Sequence, residues 1–79
     1  MAAHNENLDP LRLVEAAEAS LQAAAECNES TGAWPYPADL MGAPEQPECL
    51  ASFTKFEIQE ACAFLVRLGI LDRPRRRAA

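Results

Sequence analysis

Three thiols, one imidazole and twelve carboxylates are the side chains here that could attack an electrophile, shuttle a proton or hold a metal. Nucleophilic catalysis needs a hydroxyl or thiol within hydrogen-bond reach of a base, most often histidine. The only histidine, His4, lies in the polar stretch Met1 to Asn7, far along the chain from Cys27, Cys49 and Cys62. A structural zinc site takes four Cys or His ligands, usually in close pairs, and these cysteines are widely spaced with no C-x-x-C among them. Gly32, Gly42 and Gly69 stand alone, so no glycine-rich loop is present to cradle a phosphate. Glu57 and Glu60 are a carboxylate pair at the start of a predicted helix, where a solvated role is the default. The expectation is therefore a non-enzymatic chain with no catalytic residues, no metal and no cofactor. Its thiols should be reduced and behave as small hydrophobes. One disulfide among the three is the alternative, which a reducing compartment disfavours.

Binding chemistry is better represented. Over residues 1–72 there are three Lys/Arg against twelve Asp/Glu, whereas Arg73, Arg75, Arg76 and Arg77 load the last seven residues with positive charge. The net −5 thus divides into an acidic body and a basic tail. Trp34 and Tyr36, the only Trp and Tyr, flank Pro35. Either they cap a small core or they anchor a partner, since such residues dominate interface hot spots.

The elements that must position these groups are well marked. Asp9 is a strong N-cap, and Pro10 suits the first helical position because its missing N–H costs nothing there. Val14, Ala17, Leu21 and Ala24 recur at helical spacing, with Leu13 and Ala25 widening the stripe and Arg12, Glu15, Gln22 and Glu26 opposite. That pattern predicts an amphipathic helix over about 10–26, ending before the turn-forming run Asn28 to Gly32. Alanine dominates its buried stripe, which favours close approach of a second helix of the same chain or, alternatively, a homodimer seam. Pro35, Pro37, Pro44 and Pro47 forbid a long helix or central strand in the middle. One helical turn is expected at Pro37–Met41 and another at Pro47–Ala51. Thr54 and Glu57 then form a capping box, with Phe53 and Ile58 at the staple positions. Ile58, Ala61, Cys62, Leu65 and Leu68 share one face of a helix over about 55–68, stopped by Gly69. Phe56 falls on its opposite, polar side with Glu60 and Arg67, where the connector or a partner must cover it. Ile70 and Leu71 are expected to tuck back against the core. The fold class is all-α: a leader over 1–8, one small helical domain over 9–72 and a basic tail over 73–79, both ends expected to be disordered.

Residues 37–71, from Pro37-Ala38-Asp39-Leu40-Met41-Gly42 through Thr54-Lys55-Phe56-Glu57-Ile58 to Leu68-Gly69-Ile70-Leu71, resemble the helical half of a winged-helix or helix-turn-helix module. That resemblance implies a recognition helix over Thr54–Arg67 contacting DNA. Its phosphate contacts would come from Lys55, Arg67, Arg73, Arg75, Arg76 and Arg77. The arginine run after Gly69 leaves no material for a wing. An acidic body opposes DNA, because duplex affinity rests mainly on neutralising phosphates.

The favoured reading is a small regulatory protein, an inhibitor or adaptor, that binds another protein carrying a basic patch. Its contacts are expected at Phe56, Glu60 and Arg67, at Glu15 and Glu18, and at Trp34 and Tyr36. A DNA-contacting transcription regulator is the alternative, and a homo-oligomeric assembly subunit the third. In size and composition the chain is similar to small accessory proteins of phages and mobile elements, some of which inhibit host machinery. No run approaches the roughly 20 apolar residues of a membrane span, and Met1 to Asn7 lacks the regions of a signal peptide. A cytoplasmic location without membrane contact is expected.

Overall fold

A computed structural model describes residues 9–73. The expected leader at 1–8 and the tail residues Arg75, Arg76 and Arg77 lie outside them. Two long helices, with two short 3-10 turns between them, make an all-α architecture. No strand occurs among the described residues.

Helix α1 spans Pro10–Thr31. It starts as its sequence dictates: the Asp9 carboxylate accepts from the Arg12 N–H at 3.3 Å, and Pro10 stands in the first turn. Its end differs from the expected stop near Glu26. Ser30 and Thr31, weak helix formers but not breakers, stay in the helix and donate their hydroxyls back to the carbonyls of Glu26 and Cys27, at 3.4 and 2.9 Å. The stop is Gly32, at φ +81°, whose N–H donates to the Asn28 carbonyl at 2.7 Å. There the chain takes the left-handed conformation that glycine adopts freely, as it does again at Gly69 after the second long helix.

The connector carries its two turns at Pro37–Leu40 and Glu48–Leu50, where the prolines place them. Helix α2 spans Lys55–Arg67 with Leu68 as its C-cap. Its capping box is complete: Thr54 Oγ1 accepts from the Glu57 N–H at 3.1 Å, and the Glu57 carboxylate accepts from the Thr54 N–H at 2.9 Å. After Gly69, the N–H groups of Ile70 and Leu71 both donate to the Leu65 carbonyl, at 3.0 and 3.2 Å. Leu71 packs against the core as expected, while Ile70 stays exposed.

The core lies between α1 and α2, with the connector over its open side. Helix α1 buries Ala16, Ala17, Ser20, Ala23 and Ala24; α2 buries Ile58, Ala61, Cys62 and Leu65. Leu50, Pro37 and Ala38 come from the turns. The close intrachain packing expected of the alanine-rich stripe is present, but the stripe is displaced. Val14 and Leu21 are exposed, and Ser20 is fully buried in their stead. A hydropathy pattern favours the larger Val and Leu, yet a tight seam selects the face that lets two backbones approach. Ser20 is tolerated there because its hydroxyl donates to the Ala16 carbonyl at 2.8 Å, leaving no unsatisfied group. Leu68, expected on the buried face, falls past the last helical residue and is exposed.

Arg12, expected on the solvent side, reaches across to α2. Its Nε and Nη2 donate to the two carboxylate oxygens of Glu57 at 2.9 and 3.0 Å, and Nη2 also donates to the Ser52 carbonyl at 2.8 Å. The guanidinium lies 4.4 Å from the centre of the Phe53 ring. Glu57 is therefore no solvated half of a carboxylate pair: its side chain is only 16% exposed. The hydrogen bond from Arg12, reinforced by the Thr54 N–H, lowers its pKa from 4.5 to about 2.

Two outcomes follow for stability. Leu50→Ala, at a fully buried site, should cost about 2–5 kcal/mol, read as a lower urea midpoint with an unchanged m-value. Glu57 has its pKa depressed in the folded state, so its contribution is complete above pH 4.5 and is lost as pH falls towards 2. Glu57→Gln should lower stability at neutral pH and flatten the dependence between those limits. Urea titrations across that window check it, and an unchanged slope would refute the linkage.

Candidate functional site

Gly32 ends α1 and turns the chain into Ala33-Trp34-Pro35-Tyr36, which runs without regular structure to the first 3-10 turn. Tyr36 has extended dihedrals, φ −88° and ψ 112°, and the prolines on either side of it have φ held near −65°. Across from this segment lies the stretch after α2, held by the paired bonds to the Leu65 carbonyl. Between the two runs a half-open groove of about 630 Å³. Trp34, Pro35 and Tyr36 form one wall and Ile70 and Leu71 the other, while Asp39, Asp72 and Arg73 are the charged groups lining it.

The walls are unevenly buried. Tyr36 and Leu71 pack on the core, whereas Trp34 is 66% and Ile70 56% exposed. The two expectations for the aromatic pair are thus divided between its members: Tyr36 closes the core, and Trp34 projects. Burial, with nearby Cys62 and Asp39 adding to it and Arg73 opposing, pushes the Tyr36 phenol pKa upward. It stays protonated and able to donate at neutral pH. Neither Asp39 nor Asp72 has a hydrogen-bonded or ion-paired side chain among the described residues.

The remaining residues singled out from sequence do not line this groove. Phe56, Glu60 and Arg67 are all exposed on α2, at spacings that share one outer face. Glu15 and Glu18 are exposed on α1, Glu15 lying 3.9 Å from Arg12. Lys55 and Arg67, the first and last residues of α2, are exposed, and Arg73 lines the groove. Sequence reasoning missed Ile70, Asp39 and Asp72 as neighbours of Trp34. Asp39 follows Trp34 by five residues, but nothing local signals the meeting with Ile70 and Asp72, which lie beyond α2. It also missed that Leu11, Val14 and Leu21 form an outward apolar row on α1.

The thiols are separated in character rather than gathered into a site. All three are free; Cys62 is fully buried, and Cys27 and Cys49 are half-buried. Burial pushes the thiol pKa values of Cys62 and Cys49 upward, and Cys49 Sγ donates to the Ala19 carbonyl at 3.6 Å. Raised pKa values leave little thiolate, the reactive form. Among the described residues no group of three His, Cys, Asp or Glu is placed to hold a metal ion, and no helix is long and apolar enough to cross a membrane. Comparison with protein-family models, with curated proteins and with solved structures finds no match.

Trp34 is the only tryptophan, so its emission reports on the groove alone. Acrylamide should quench it readily in the folded protein, with little further gain in urea. Cys62 should react with a thiol reagent only as the protein unfolds, whereas Cys27 should react in the native state and Cys49, half-buried with a raised pKa, more slowly than Cys27. Rapid native labelling of Cys62 would contradict the packing.

Proposed function

We propose that this protein acts without catalysis, binding another protein and regulating it by occupying a functional surface. The observation that carries this reading is the exposure of Trp34 and Ile70 on the two walls of one groove in an acidic body. Large apolar side chains set together on a surface mark interaction sites, and tryptophan anchors interface hot spots. The surplus of carboxylates over residues 1–72 steers the chain towards a basic patch on its partner. Surfaces that normally bind nucleic acid, or the positive face of a polymerase or nuclease, have that character. An inhibitor that competes for such a surface needs no catalytic group. The outward face of Phe56, Glu60 and Arg67 offers a second contact, and Glu15 and Glu18 add to the field that guides encounter.

The test is retention of a protein from native host extract on the immobilised intact chain, compared with Trp34→Ala and Phe56→Ala. A specific partner retained by the intact chain and lost with Trp34→Ala is the expected result. Duplex DNA supplies the opposing arm. Binding at low salt that falls steeply with added salt, and disappears on deletion of Arg73–Arg77, would replace this reading with the helix-turn-helix one through Lys55 and Arg67.

A further inference from the structure

The Trp34–Ile70 groove combines aromatic surface with a surplus of negative charge among the described residues that line it. Trp34 and Tyr36 supply aromatic rings and Ile70 and Leu71 an aliphatic wall; the charged lining is Asp39 and Asp72, two carboxylates that no side chain of the described residues engages, against the single cation Arg73. Its volume of about 630 Å³ lies within the range of pockets that enclose a small ligand or a few side chains. An apolar occupant would cover the rings and use none of the surplus negative charge. A lysine would supply charge, but its ammonium is a compact, strongly hydrated point. A guanidinium is planar, stacks on aromatic faces and forks onto a carboxylate while remaining weakly hydrated. It meets both demands of this surface at once.

We propose that this groove is a docking site for an arginine-bearing extended segment of the partner protein. In it one guanidinium stacks on Trp34 and pairs with Asp39 or Asp72, and the aliphatic stem lies along Ile70. The assignment rests on the protein-binding reading above and names the segment that such a partner presents. Charge complementarity carries it, because the acidic body attracts any cation whereas aromatic rings beside two carboxylates, which outnumber the one lining cation, discriminate among cations.

Trp34 emission is the readout, with the intact chain titrated by a short blocked peptide of alternating arginine and alanine. Matched peptides carrying lysine or neutral citrulline are the controls. The arginine peptide should shift Trp34 emission saturably and bind several-fold more tightly than the lysine peptide, with citrulline weaker still. Asp39→Asn with Asp72→Asn should weaken arginine-peptide binding by about ten-fold and reduce its salt dependence, with helical circular dichroism unchanged because both residues are exposed. No saturable shift would overturn the proposal, as would equal binding of arginine and lysine peptides or indifference to the double substitution. Emission that is already shifted in the intact chain and reverts when the chain is cut after Asp72 would overturn it in favour of the chain's own arginines, Arg73 of the groove lining included. The partner-retention experiment separates the two levels. A partner lost with Trp34→Ala but held by the Asp39→Asn/Asp72→Asn variant overturns the arginine assignment and leaves the protein-binding reading standing. Selective peptide binding with no partner retained upholds the groove's chemistry and removes that reading.

Discussion

Two helices that meet through alanine can approach closely, but alanine alone says little about how far one should slide along the other. The tertiary arrangement of this protein depends on how that freedom is removed. Ala16, Ala17, Ala23 and Ala24 on α1 leave a shallow surface, into which α2 and the turns insert Ile58, Leu65 and Leu50. Register comes from a polar contact at one end. The fork of Arg12 onto Glu57, with its third bond to the Ser52 carbonyl, ties the start of α1 to the start of α2. The same carboxylate completes the Thr54 cap, so one side chain both begins α2 and aligns it. An exposed ion pair contributes little. This one is bidentate, partly shielded and backed by the Phe53 ring, the circumstances in which geometry makes a charged contact specific.

That alignment reaches the far end of the domain. Leu65 is buried in the seam, and its carbonyl receives the N–H groups of Ile70 and Leu71. The chain leaving α2 is thereby held opposite the aromatic segment leaving α1, whose direction is set by Gly32 and the prolines. The groove is thus a product of where two helices end. Its walls are short segments fastened to a rigid core, an economical way for a small chain to hold a binding surface in shape. The outer face of α2, with Phe56, Glu60 and Arg67, needs no such assembly and is set by helical spacing alone.

Legibility in the sequence followed the range of the interaction concerned. Caps and stops were readable because they act within a few residues: Asp9 with Pro10, Thr54 with Glu57, and Gly69 all sit where their chemistry requires. The end of α1 was misplaced because Asn28 to Thr31 are weak helix formers rather than breakers, and their side chains bond back into the helix. The buried face of α1 was displaced because hydropathy ranks Val14 and Leu21 above Ser20, whereas close packing ranks by size. For the candidate site, Trp34 and Tyr36 were identifiable as types able to anchor a partner. Their division into a core member and a projecting one was not.

The sequence by itself determined an all-α chain with two capped helices, a proline-interrupted connector and an acidic body, because local propensity, capping and charge count need no knowledge of distant contacts. The tertiary structure decided which face of α1 is buried, that Arg12 belongs to Glu57, and that Ile70, Asp39 and Asp72 stand beside Trp34. Apart from Asp39, five residues after Trp34, those outcomes join residues tens of positions apart, and the packing of the alanine seam brings them together.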